Sequence, residues 1–210
     1  MKTRSVEDGA DAPPARSTSF ERFAGACAIL AGASGFLYAV AFVVLQDAPL
    51  SGLFLMLGGL LTSVALLAVY ERLRETDASF ALLALVFGLA GSLGSAAHAG
   101  YDLANAVNPP ASLPDLPNPV DPRGLLTFGV AGIALFVVAW LIGRGGRFPR
   151  GLGYLAYVSA VLLLALYLGR LIVLDPTNPV ILVPALLNGF LINPIFYLWL
   201  GLALLRGRST

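Results

Sequence analysis

Long apolar segments alternate with short polar ones along almost the whole chain. Six of these segments carry few or no charges, and each is long enough for a helix that crosses the ~30 Å hydrocarbon core of a bilayer. Their approximate bounds are 23–45, 52–70, 79–107, 124–142, 152–174 and 180–204. The pattern predicts an all-α fold in which six transmembrane helices form a bundle.

The composition leaves little room for anything besides this transmembrane domain. Of the 210 residues, 58% are hydrophobic and 12% are charged, whereas soluble domains average about 25% charged residues. Residues 1–19 are polar, which predicts a disordered tail. Residues 108–123 contain six prolines, which predicts a loop without regular helix. The transmembrane domain is therefore expected to cover residues 20–210.

The basic residues are distributed unequally between the two ends of the predicted helices. Arg123 falls on one side and Arg170 lies within the fifth segment, whereas eleven basic residues fall on the other side. Those eleven are Lys2, Arg4, Arg16, Arg22, Arg72, Arg74, Arg144, Arg147, Arg150, Arg206 and Arg208. Because cytoplasmic loops are enriched in Lys and Arg, both termini are predicted to be cytoplasmic. This describes a multi-pass protein of the (inner) cell membrane whose proline-rich loop 108–123 faces outward.

The third segment carries small residues at helical spacing. One row consists of Ala84, Gly88, Ser92, Ala96 and Gly100. Small residues four apart let helix backbones approach each other closely in a membrane. We therefore expect the third helix to be the central helix of the bundle.

A polar cluster is predicted near the outer ends of the third and fifth helices. His98, Asp102 and Asn105 share one stripe because their spacing is i, i+4 and i+7, and Arg170 and Asp175 are expected at a similar depth. A salt bridge between Asp102 and Arg170 would offset the cost of placing either charge in a membrane. Two interpretations stay open: a ligand, ion or proton site, or a structural ion pair beside an interfacial histidine.

The sixth segment contains residues that interrupt helices. Pro184 and the pair Asn193-Pro194 each predict a break, because proline has no backbone N–H to donate. Transporter sites are often built on discontinuous helices, so Asn188 and Asn193 are candidate ligand-binding residues. The alternative is that these amides form interhelical hydrogen bonds beside a kink.

Several classes of function lack the residues that they need. Cys27 is the single cysteine and His98 the single histidine, which excludes an intramolecular disulfide, a histidine-rich metal cluster and a bis-histidine haem within one chain. No cofactor is therefore predicted. The net charge of +1 argues against nucleic acid as a partner. Common hydrolase and nucleotide-binding motifs are also absent from the sequence.

The layout resembles that of six-span prokaryotic membrane proteins of unknown function. Small-residue segments carry the resemblance, together with Tyr70-Glu-Arg-Leu-Arg74 at the end of the second segment and Asn193-Pro194 in the last. It covers the whole chain and implies no particular activity.

Three function classes follow from these observations, and the lipid bilayer is a partner in all of them. The primary prediction is a non-catalytic membrane component with an accessory, assembly or regulatory role, which requires a filled bundle and a membrane protein partner or a second copy. The alternative is a permease or ligand-binding protein for a small molecule, in which Asp102 and Arg170 face a cavity that continues toward Asn188. The third class, toward which the sequence leans least, is an enzyme with His98 and Asp102 at a pocket wall.

Overall fold

The chain is helical throughout nearly all the residues that the structure describes. A computed structural model describes residues 18–109, 125–173, 175 and 178–206. In chain order, the helices of this part are α1 (Ser19–Ala39), π1 (Val40–Leu45), α2 (Ala48–Leu73), α3 (Ala78–Val107), π2 (Leu125–Val130), α4 (Ala131–Gly145), α5 (Arg150–Ile172), α6 (Pro179–Leu187), π3 (Asn188–Ile192) and α7 (Asn193–Leu205), where π marks a π-helical segment.

These elements join into six helices that are long and apolar enough to cross a membrane, which confirms the predicted all-α fold with six such helices. They are span 1 (Ser19–Leu45), span 2 (Ala48–Leu73), span 3 (Ala78–Val107), span 4 (Leu125–Gly145), span 5 (Arg150–Ile172) and span 6 (Pro179–Leu205). Their bounds differ from the predicted ones by a few residues, because polar capping residues and not the apolar runs set where a helix begins.

Span 1 shows how a cap sets a boundary. The Thr18 backbone N–H donates to Glu21 Oε2 over 2.9 Å, and the Glu21 N–H donates to Thr18 Oγ1 over 3.1 Å. This reciprocal capping box starts the helix at Ser19, inside the stretch predicted to be a tail. The rest of that tail, residues 1–17, lies outside the described residues, as do residues 110–123 of the predicted proline-rich loop.

The six spans form a ring in chain order. Each span packs against the next one along the chain, and α7 of span 6 returns to pack against α1 of span 1. Span 3 therefore contacts mainly spans 2 and 4. The prediction that span 3 is the central helix is wrong, because a cavity and not a helix lies at the centre of the ring.

Small residues on two faces of α3 explain its place in the ring. Gly88 and Ser92 face span 2, where the Ser92 hydroxyl lies 2.9 Å from that of Ser63. Gly91 faces span 4 and contacts Ala131. The predicted close approach of backbones is confirmed. These small residues let α3 pack closely against two neighbouring helices, and a helix at the edge of a ring can do this as well as a central one.

The two halves of the ring are packed differently. We call one end the basic end, because Arg72, Arg74, Arg144, Arg147 and Arg150 lie at the helix ends there, and the opposite end the distal end. The main apolar core fills the half near the basic end. Its buried members include Ala28, Leu73, Ala81, Ile142, Leu152 and Leu204. The distal half contains the cavity.

Span 6 is interrupted once, in its middle. Helix α6 continues through Pro184, so the predicted break there is wrong. Pro184 lies close to the start of α6, and the helix continues although this residue has no backbone N–H to donate. The predicted break at Asn193-Pro194 is confirmed, since π3 directly precedes this pair and the Asn193 N–H donates to the carbonyl of Asn188, five residues earlier. Proline commonly forces such a rearrangement, because it has no N–H for the regular helical bond.

Candidate functional site: a cavity in the distal half

A cavity of about 340 Å³ lies inside the ring, mostly in the distal half, and extends just past the middle. All six spans contribute residues to its wall, most of which are apolar side chains or glycines. The polar side chains that line it are Tyr38, Thr62, Ser92, Ser95, Thr127, Arg170, Asn188, Asn193 and Tyr197. Predominantly apolar walls with a few polar groups are typical of small-molecule sites.

Arg170 provides the one cationic side chain among the described residues of this wall. It extends from the last turn of α5 at the distal end, where it is exposed. Its guanidinium lies 6.0 Å from the centre of the Phe128 ring, and no carboxylate of the described residues forms a salt bridge with it. Tyr38, which is half-buried, lies within electrostatic range of both Arg170 and Asp102. Arg170 is thus a charged group that is oriented by an aromatic ring and available to an anion.

Two amide side chains of span 6 line the cavity deeper in the bundle. Asn188 is buried, and its Oδ1 accepts a hydrogen bond of 2.9 Å from the Ser159 hydroxyl of α5. The predicted interhelical hydrogen bond of an amide is therefore present. Asn193 packs with its amide nitrogen beside Gly35 of span 1. Neither the Asn188 NH₂ nor the Asn193 carboxamide has a hydrogen-bond partner among the described residues, so both can bind a polar group in the cavity.

The three π-helical segments of the described residues all border the cavity. Phe42 of π1, Phe128 of π2 and both Asn188 and Gly189 of π3 belong to its wall. A π-helical turn accommodates an extra residue, and such turns are found frequently at functional sites. The irregular backbone is therefore concentrated where a ligand would bind.

The predicted polar cluster is only partly assembled. His98 Nε2 lies 3.4 Å from Asp102 Oδ2, with the two side chains 23% and 45% exposed, which confirms that they share a stripe of α3. His98, Asp102, Asn105 and Asp175 do not line the cavity. Of the seven predicted site residues, the cavity therefore brings together three. These are Arg170, Asn188 and Asn193.

The expected salt bridge between Asp102 and Arg170 does not form. Asp102 contacts His98, which is one turn away on the same helix, whereas Arg170 belongs to α5 and lies over Phe128. The spacing along α3 makes the first contact local, and no such spacing constrains a pair on two separate helices.

A buried ion pair at the basic end was not foreseen in the sequence. Arg72 Nε donates to Glu21 Oε1 over 2.8 Å, and the two side chains are only 2% and 7% exposed. The remaining Arg72 nitrogens donate to the carbonyls of Ala203 and Leu204, and the guanidinium lies over the Phe148 ring. Arg72 thus connects spans 1, 2 and 6 and supports the fold far from the cavity.

Within the described residues, no group of three or more His, Cys, Asp or Glu side chains is arranged to hold a metal ion. No family model, curated protein or solved structure matches the chain. The function is therefore inferred from the chemistry of the cavity.

Proposed function

We propose that this chain is a membrane protein that binds a small molecule in the cavity of its distal half, as a ligand-binding protein or a small permease. The observation that carries the proposal is the cavity wall, which all six spans form and which contains Arg170 and two amides with unused hydrogen-bonding capacity. Cavities destabilise proteins, so a bundle with a purely scaffolding role would fill this space with side chains, as the basic half does.

The distribution of arginines between the two ends of the ring supports an orientation of the protein, and therefore of the cavity, in the membrane. The arginines at the described helix ends lie at the basic end, apart from Arg170, and arginine-rich ends of membrane proteins face the cytoplasm. We infer that the basic end is cytoplasmic, that both termini are on that side, and that the cavity faces the outer half of the cell membrane. Catalysis is not part of the proposal, because His98 and Asp102 are not in the cavity wall.

The test uses a variant that fills the cavity. Gly58 lines the cavity, and a Cβ atom added there would meet Ser34 at an ordinary 3.6 Å. The change Gly58→Leu therefore places a side chain in the ligand's space without a backbone clash. Gly143→Leu is the matched control, because nothing lies within 4 Å of its added Cβ and it is at the basic end. Each protein is released gently from its own membrane and weighed by native mass spectrometry.

We expect a bound small molecule on the natural protein and on Gly143→Leu, and at least a tenfold lower occupancy on Gly58→Leu. Equal occupancy on all three proteins would place the ligand outside the cavity and contradict the proposal. A stoichiometric protein partner or second copy without any small molecule would instead favour the accessory role that the sequence predicts first.

A further inference from the structure

We propose that the ligand is a single-chain anionic amphiphile from the lipid bilayer. Its head lies at Arg170, and its chain lies in the slot, by which we mean the apolar part of the cavity between Arg170 and Asn193. Two kinds of molecule share this chemistry, namely long-chain carboxylates and long-chain alkyl or prenyl phosphates. This inference rests on the proposed function, because it assigns a chemical class to the ligand of the same cavity.

The charge of the head follows from Arg170. A guanidinium stays protonated at any physiological pH and binds carboxylate and phosphate groups through paired N–H donors. Asp102, a carboxylate that with Arg170 acts electrostatically on Tyr38, is in contact with His98 and forms no salt bridge with Arg170. An anion at the distal end of the cavity would therefore gain a charge-assisted hydrogen bond.

The length of the chain follows from the depth of the slot. Gly169, next to Arg170, packs against Ile181 of α6, so the head site lies level with residue 181. Asn193 follows 12 residues later, and at ~1.5 Å per residue this gives a depth of about 18 Å. One leaflet of a bilayer core measures about 15 Å, half of ~30 Å. The slot is therefore about as deep as one acyl chain is long.

The route into the slot is a lateral gap between spans 1 and 6. Helix α6 packs closely against α5, whereas the backbones of α6 and π1 make few close contacts or none, although both segments line the cavity. Nearer the basic end the gap is closed, because Phe36 meets Phe190 edge to face at 5.9 Å and Ala39 lies beside Gly189. The gap therefore exists only in the distal half and faces the distal leaflet.

An amide in the deeper part of the slot limits the chain length. Asn193 places its carboxamide where a chain of about this length would end, and hydrocarbon pressed against an amide without a hydrogen-bond partner is unfavourable. A chain that ends short of Asn193 leaves room for water to satisfy this amide, whereas a longer chain does not. We therefore expect affinity to rise with chain length and then to fall.

The inference is tested by equilibrium binding of radiolabelled hexadecanoate to the full chain in detergent. Unlabelled competitors of equal length carry a carboxylate, a phosphate, a neutral methyl ester or a quaternary ammonium head. Arg170→Gln removes the proposed head site, and Arg170→Lys keeps its charge. Arg144→Gln is the matched control, because Arg144 also lies over an aromatic ring, Trp140, but at the basic end.

We expect both anions to compete, and the ester and the cation to compete at least tenfold less well. Arg170→Gln should weaken hexadecanoate binding about tenfold or more, as a charge-assisted hydrogen bond predicts, whereas Arg170→Lys retains most of the affinity and Arg144→Gln all of it. The stronger of the two anionic competitors identifies the head group.

Equal competition by all four head groups, or unchanged binding to Arg170→Gln, would overturn the anionic class. Those results would leave the proposed function intact if Gly58→Leu still lost its native ligand. A failure of the Gly58→Leu test itself would remove both proposals, so the two failures are distinguishable.

Discussion

A single buried arginine connects three spans at the basic end. Arg72 pairs with Glu21 of span 1 and donates to two carbonyls at the end of span 6. A charge this deeply buried is tolerated only with its partners in place, because removing one partner leaves the other charge uncompensated.

We therefore expect Arg72→Met to lower the free energy of unfolding by about 3–5 kcal/mol, since it leaves the Glu21 carboxylate buried without its cation. Unfolding by sodium dodecyl sulfate in mixed micelles measures the change. The control is Arg74→Met, because Arg74 is about half exposed and pairs with Glu71 on the surface, where an ion pair contributes at most about 1 kcal/mol. Equal effects of the two changes would show that the buried pair does not stabilise the bundle.

At the scale of single residues, the sequence allowed some contacts to be predicted and hid others. The contact of His98 with Asp102 followed from helical spacing, because both lie on one element. The stretch Thr18-Ser-Phe-Glu21 matches a capping-box signature, so the start of span 1 was readable in principle. The pairing of Arg72 with Glu21 was not, because 51 residues separate the partners and Arg72 sits in a polar run that resembles an exposed helix end.

At the scale of elements, the contact between α1 and α7 depends on two facing glycines. A Cβ atom added to Gly25 would lie 2.9 Å from the carbonyl oxygen of Gly201, a backbone atom that cannot move aside. Glycine lets the two helices approach so closely because it has no side chain.

The change Gly25→Ala should therefore lower the free energy of unfolding by about 1–3 kcal/mol through overpacking. Gly143→Ala, also within a helix but with open space at its Cβ, should leave stability unchanged or raise it by up to about 1 kcal/mol, because alanine has the higher helix propensity. Unfolding of both variants in mixed micelles checks the difference in sign. A stabilising effect of Gly25→Ala would contradict the close contact.

The helices themselves were predictable from the length of the apolar runs, and the π-helical segments were mostly not. Pro194 is the sequence signal for π3, because proline has no backbone N–H and the regular helical hydrogen bonds cannot continue past it. Neither π1 nor π2 contains proline, so their extra residue leaves no local signal. Pro184 shows the reverse case, in which a proline near the start of α6 does not break the helix.

At the scale of the whole molecule, the spans form a ring that is filled in the basic half and open in the distal half. The sequence could not give this arrangement, because small residues on α3 predict close neighbours without saying which neighbours they are. The cavity joins residues from both halves of the chain, such as Tyr38 and Arg170, that no periodicity connects. The chemistry of the cavity could be inferred only from the structure, in which the ring brings these residues together.

The most direct test of this account is an experimental density map of the protein purified from its own membrane. We expect elongated density in the distal half, in contact with Arg170 and extending between π1 and α6 toward Asn193. A cavity closed by side chains, with α6 packed against π1 and Arg170 in a salt bridge with Asp102, would contradict the account.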